Sequence, residues 1–236
     1  MTEPKAQYDE LYKIILVGDS SVGKTSFLIR LTKNVIKKQS QPTIGVEYAA
    51  QSILLADVDK IVKSVIWDTA GAEKYKAITT AHYRKSEGAL LFYDLCDKNS
   101  FDNVLSWRQE ILQHTDDKIM IMLIGNKLDL LQENPQNRCV SVEEVEQICQ
   151  QHNMLYNETS AKEGTNVKEC FELFIRKIYE SKQFNVEEEM QVSSQRYEND
   201  NPKSENKTEE NPMQPPYSIK QDKPKIIPSE NCCGTS

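Results

Sequence analysis

No run of 18 apolar residues occurs in this chain, so no segment is expected to span a membrane as a helix. The N-terminus lacks the basic-then-apolar stretch of a secretory signal, and Thr2 is incompatible with N-myristoylation. Basic residues are the minority, 29 Lys and Arg against 36 Asp and Glu, and the net charge of −7 argues against a nucleic-acid partner. Cysteine shows neither metal-ligand nor disulfide-framework spacing: Cys96, Cys139, Cys149 and Cys170 stand singly and read as buried, reduced thiols of a cytosolic protein. Internal repeats are absent.

Apolar residues also thin out toward the C-terminus. From Gln183 onward ten acids face six bases, and six of the nine prolines fall in the same stretch. Such a segment buries too little surface to offset its ordering entropy, so residues 184–231 are expected to be disordered. The expected organisation is a flexible N-terminus over 1–9, one domain over 10–182 and a tail over 183–236.

Within the domain, β-rich apolar runs alternate with helical patterns. Strands are expected at Leu11–Val17, Tyr48–Leu55, Ile61–Trp67, Gly88–Tyr93, Lys118–Ile124 and near Leu155. Helices are expected from Lys24 to Thr32, from an N-cap at Ser100 to His114, from a capping box at Ser141 to Gln151, and from Val167 to Lys182. This alternation implies an α/β fold, a mostly parallel six-stranded sheet with helices on both faces, and a ligand at the carboxyl ends of the strands.

Four segments carry chemistry. Gly18-Asp-Ser-Ser-Val-Gly23-Lys24-Thr25 matches the phosphate loop G-x-x-x-x-G-K-S/T between a strand and a helix. Backbone N–H groups of such a loop converge on phosphate oxygens at a helix N-terminus, where the dipole favours anions. The expected phosphate-binding set is Asp19, Ser20, Ser21, Val22, Gly23, Lys24, Thr25 and Ser26; Lys24 reaches the β- and γ-phosphates, and the Thr25 hydroxyl ligates Mg²⁺. Asp68, ending a strand and followed by Thr69-Ala70-Gly71, is placed to hold Mg²⁺ through water. Asn126-Lys127-Leu128-Asp129 follows a further strand. A carboxylate there accepts both the N1–H and the 2-amino hydrogens of guanine, whereas adenine offers no matching donors. Ser160-Ala161-Lys162, at the next strand end, is placed to offer a backbone N–H to the guanine O6. Asp129 thus disfavours an ATP-using phosphate-loop enzyme.

With these segments in this order, the chain resembles the Ras superfamily of GTPases over residues 10–182, and within it the Rab family. The Rab-like segments are Pro42-Thr43-Ile44-Gly45-Val46-Glu47-Tyr48, Trp67-Asp68-Thr69-Ala70-Gly71, Ala77-Ile78-Thr79 and Tyr83-Arg84. Gly45–Ser52 and the Pro-Pro…Lys-Pro-Lys…Cys-Cys tail are most similar to the recycling-endosome branch. The resemblance implies a phosphate-loop NTPase that binds GTP and GDP with Mg²⁺ and recruits effectors in vesicle-mediated trafficking. It assigns catalysis to Lys24, Thr43 and Gly71, metal binding to Thr25, Thr43 and Asp68, and an effector-facing surface to Ile44, Gly45, Tyr48, Trp67 and His82. Thr43 would sense the γ-phosphate in switch I, and residues 71–82 would form switch II. The final Cys232-Cys233-Gly-Thr-Ser resembles the Rab pattern in which both cysteines carry geranylgeranyl groups. Two chains suffice for membrane residence where one is marginal and the tail adds no basic patch. By the same resemblance the partners are effectors, an exchange factor, a TBC-type activating protein, a GDP-dissociation inhibitor and a Rab escort protein. The expected location is the cytoplasmic face of endosomal or Golgi-derived membranes, with a soluble cytosolic pool.

Three positions depart from the family pattern. Ala72 replaces the Gln that orients the attacking water, which implies slow intrinsic hydrolysis, or an activating protein that brings the missing amide. Ile36 stands where an aromatic residue usually packs on the guanine ring, implying faster release or compensating packing nearby. His82 replaces the Tyr or Phe of the effector-facing aromatic triad, so effectors of the subfamily need not carry over.

Overall fold

A computed structural model describes residues 8–36, 46–69, 82–116 and 118–199, with side chains described through 184. The chain divides into a main unit, Met1–Gln191, and a second, Val192–Ser236. The site lies in the first.

Six strands form one sheet in the order β2-β3-β1-β4-β5-β6. They are β1 Glu10–Gly18, β2 Val46–Leu55, β3 Lys60–Thr69, β4 Gly88–Asp94, β5 Met120–Asn126 and β6 Leu155–Glu158. Only β2 runs antiparallel, along β3; every other pairing is parallel. The sequence of β1 explains its central place, because it is apolar on both faces. Ile14 and Leu16 join a core with Phe27 and Leu28 of helix α1 (Lys24–Lys33) and Phe171, Phe174 and Ile178 of α6 (Val167–Asn199). Ile15 and Val17 join a second core beneath α2 (Lys98–Asp102), α3 (Val104–His114), α4 (Leu128–Glu133) and α5 (Val142–Gln151), through Phe101, Trp107, Leu131 and Val145. A strand covered on both faces is apolar where it is covered, as β1 is from Ile14 to Val17 and β4 from Ala89 to Tyr93.

The elements differ from expectation in five places, the first being the additional short helix α4. Ser100 is not a helix cap. Asp97 caps α2 by accepting from the Asn99 amide at 3.1 Å, while Ser100 Oγ accepts from the Asp94 amide at 2.9 Å. The single helix expected up to His114 is broken at Asn103, which closes α2 and opens α3. The apolar stretch Lys118–Ile124 enters the sheet only at Met120, and β5 continues to Asn126. Helix α6 continues past Lys182 to Asn199, through a stretch rich in the helix formers Glu, Gln and Met. Ser141 does cap α5, accepting from the Glu144 amide at 3.1 Å. Of the four internal cysteines, all free thiols, Cys149 and Cys170 are buried, whereas Cys96 and Cys139 are only partly covered. Among the described residues no helix is long and apolar enough to cross a membrane.

Candidate functional site at the strand carboxyl ends

Parallel strands deliver their carboxyl ends to one edge, and the segments singled out above meet there. β1 ends in Gly18, whose φ of +134° suits glycine; a Cβ at that position would lie 2.4 Å from the Phe92 carbonyl oxygen. The chain then turns through Ser21, at φ +67°, and Gly23, at φ +102°, into α1. A Cβ on Gly23 would stand 2.1 Å from the Asn126 side-chain nitrogen, so this glycine permits the contact that joins the phosphate loop to the Asn126–Asp129 segment.

That contact is made by Asn126, which is 1% exposed. Its Nδ2 donates to the Val22 carbonyl at 2.8 Å, and its Oδ1 accepts from the Ala161 amide at 3.1 Å and the Thr159 hydroxyl at 3.3 Å. One side chain therefore ties together three loops that follow three different strands. Two amides of the Ser160–Lys162 segment are committed inside the fold, Ala161 to Asn126 and Ser160 to the Thr165 carbonyl at 3.0 Å.

Lys127 adopts φ +70° as it enters α4, and its Nζ lies 2.6 Å from Asp94 Oδ2, at the end of β4. The turn brings Asp129 into the first turn of α4, almost fully buried. Its Oδ1 accepts from Ser160 Oγ at 2.6 Å, and its Oδ2 lies 3.4 Å from Lys162 Nζ. A buried carboxylate with one oxygen anchored and the other near a half-exposed lysine is suited to receive N–H donors from a planar base.

Lys24 is 5% exposed and folds back along the loop, its Nζ donating to the Gly18 and Asp19 carbonyls at 2.7 Å each. Burial lowers its pKa to about 8, with Asp68 and Asp19 pulling the other way. The Thr25 hydroxyl donates to Asp68 Oδ2 at 2.6 Å, across from α1 to the end of β3. Hydroxyl and carboxylate oxygens are the donors that Mg²⁺ prefers, and Mg²⁺ needs only one or two of them beside phosphate and water. This pair fits the ion. Among the described residues no group of three or more His, Cys, Asp or Glu forms an alternative metal site. Thr69 holds β3 to β1 by donating to the Leu16 carbonyl at 2.7 Å.

On the face of β2 and β3, Tyr48 and Trp67 are cross-strand partners with ring centroids 5.5 Å apart, and Trp67 stacks on His82 at 4.9 Å. Tyr48 is 71% exposed, so this aromatic row faces outward. Ile36, just past α1, is also exposed. Ser20 lies in the loop and Ser26 in the first turn of α1. Thr43, Ile44, Gly45, Gly71, Ala72, Cys232 and Cys233 fall outside the described residues.

Several residues with a role here were not apparent in the sequence. Arg30 on α1 donates through Nε to the Ala161 carbonyl at 3.0 Å and through a terminal nitrogen to the Lys162 carbonyl, bracing the Ser160–Lys162 loop from outside. Asp94 grips Lys127, and a strand-end acid was the available signal for it. Trp107 and Asn103 bind Asp19, a link across more than eighty residues that no local pattern announces.

Comparison with known proteins agrees with this geometry. The family model described as Ras family matches residues 13–180. The chain is 46% identical over 173 residues to the GTP-binding protein ypt3 of Schizosaccharomyces pombe, covering 73% of this chain and 78% of that protein. It is 47% identical over 172 residues to Ras-related protein RABA1h of Arabidopsis thaliana, and 46% identical over 172 residues to Ras-related protein Rab11B of Nicotiana tabacum, covering in both cases 73% of this chain and 76% of the relative. A phosphate loop, a strand-end Asp beside Thr25 and a buried Asp129 on one parallel sheet, together with these matches, place the chain in the Ras family of GTPases, in its Rab branch.

Proposed function

We propose that this chain is a membrane-anchored molecular switch that binds GTP and GDP with Mg²⁺ and recruits effectors in vesicle-mediated trafficking. The observation that carries the guanine reading is the buried Asp129 carboxylate, locked to Ser160 and tied through Asn126 to the phosphate loop. In this reading Asp129 receives the guanine N1–H and 2-amino hydrogens, and the loop amides receive the phosphates. Lys24 swings from the two carbonyls it now binds to the β- and γ-phosphates. Thr25 and Asp68, with Thr43 from switch I, hold Mg²⁺, which when bound neutralises charge on the phosphate oxygens. Thr43 and Gly71 sense the γ-phosphate, and the Tyr48-Trp67-His82 row, together with Ile44 and Gly45, is read by partners when the switches are ordered. Prenylation of Cys232 and Cys233 holds the switch on the cytoplasmic face of endosomal or Golgi-derived membranes. A GDP-dissociation inhibitor and a Rab escort protein handle those lipids, while an exchange factor and a TBC-type activating protein drive the cycle.

Displacement of a fluorescent guanine nucleotide tests the first step. GDP is expected to compete at least about a hundredfold better than ADP, because adenine leaves Asp129 without donors. Equal competition would refute guanine selection.

The lowered pKa of Lys24 adds a pH signature. Below about pH 8 the ammonium is charged whether or not nucleotide is present, and affinity is flat. Phosphate raises the pKa of the bound state, so above that value binding must take up a proton. Affinity is then expected to fall up to about tenfold per pH unit between roughly pH 8 and 9. Titrations of GDP binding across pH 6.5 to 9 check this, and a flat profile would refute a Lys24 that binds phosphate from a lowered pKa.

A second reading is favoured by Ala72. With no amide to orient water, the chain would remain mostly GTP-bound, acting as a prenylated binding module without useful turnover.

A further inference from the structure

Asp19, the second residue of the phosphate loop, carries a carboxylate that would repel phosphates and compete for the loop N–H groups if it were free to turn inward. It is held instead from the helical layer: Trp107 Nε1 donates to one carboxylate oxygen at 2.6 Å, and Asn103 Nδ2 donates to the other at 2.8 Å. The backbone carbonyl of the same residue accepts from Lys24 at 2.7 Å. Both donors are themselves constrained. Trp107 is 8% exposed, with its ring in the core under α3, and Asn103 is the single residue at which α2 gives way to α3. The loop they grip is conformationally demanding, with left-handed φ values at Gly18, Ser21 and Gly23. Such a loop keeps its shape only where its surroundings over-determine it.

We propose that Trp107 and Asn103 are positioning residues of the phosphate loop that act through Asp19, so that the α2–α3 elbow sets how long nucleotide stays bound. The inference rests on the guanine-nucleotide reading given above. Removing the Trp107 N–H frees a charged oxygen to move toward the phosphates and loosens the loop, which speeds release while leaving the encounter with nucleotide unaltered.

The test is stopped-flow kinetics of fluorescent GDP on the full chain. Trp107→Phe, which keeps the aromatic packing, and Asn103→Ala are each expected to raise the release rate about tenfold with an unchanged association rate. Asp19→Asn removes the charge that both donors satisfy. Combined with Trp107→Phe it should release no faster than the faster single variant, because the two changes break one interaction. Arg108→Ala is the control on the same helix: it loses a bond to the His152 carbonyl at 3.1 Å and should lower the melting temperature without speeding release. Release within about twofold of the native rate in Trp107→Phe, multiplicative effects in the double variant, or equal acceleration in Arg108→Ala would each overturn the inference. Absence of GDP binding by the native chain would overturn the nucleotide reading along with it, whereas tight binding with unaltered release overturns the inference alone.

Discussion

Replacing Asp129 with alanine is expected to weaken GDP binding by roughly a hundred- to ten-thousandfold, the first of the two largest effects in this protein. A carboxylate that accepts two N–H groups makes two charge-assisted hydrogen bonds, worth together about 3–6 kcal/mol when the alternative is an unpaired, buried donor. The site is prepared for this. Asp129 is 5% exposed, so solvent does not compete for it, and the Ser160 hydroxyl at 2.6 Å fixes its orientation before any base arrives. ADP, which makes neither bond, should bind the variant no worse than it binds the native chain. Equilibrium titration of both nucleotides against the native chain and Asp129→Ala gives the comparison. A loss for GDP of less than about tenfold would mean that the base is read elsewhere.

The second large effect belongs to hydrolysis. Ala72→Gln is expected to raise the intrinsic single-turnover rate on pre-loaded GTP by roughly ten- to a hundredfold, since the restored amide can orient the attacking water. The native chain should hydrolyse slowly on its own. Addition of a TBC-type activating domain then separates the two functional readings: strong acceleration identifies a cycling switch, and a rate near zero in both arms identifies a GTP-held binding module. No change in Ala72→Gln would show that position 72 lacks the role assigned to it.

Much of the molecule was readable in one dimension because the relevant signals are local. Five of the six strands and helices α1 and α5 are apolar runs or periodic faces bounded by turn residues, and Ser141 caps α5 where the pattern placed it. The misreadings have local causes too. Ser100 has the chemistry of a cap, but Asp97 lies three residues earlier and reaches the free amide first, so Ser100 is left to bond backward to β4. The short helix α4 carries no periodic face long enough to detect; it forms where Lys127 turns the chain at φ +70° and the Leu128 amide donates to the Thr159 carbonyl at 3.0 Å, just past β6.

By itself, then, the sequence set out the residues of the candidate site: a glycine-bounded phosphate loop, an Asp at a strand end and an Asp129 expected to read guanine, in an order that a parallel α/β sheet brings to one edge. It also announced Ala72 and Ile36, since a missing group is as visible in a string as a present one. The tertiary structure decided how those groups are held. Asn126 spans three loops, Arg30 braces the Ser160–Lys162 segment from α1, and Trp107 with Asn103 restrains Asp19 from the opposite layer. Each of these contacts joins residues far apart in the chain through two or three hydrogen bonds of one side-chain group. Such bonds impose no spacing or composition on the segments they link, so they become visible only when the sheet has closed and its two helical layers are packed.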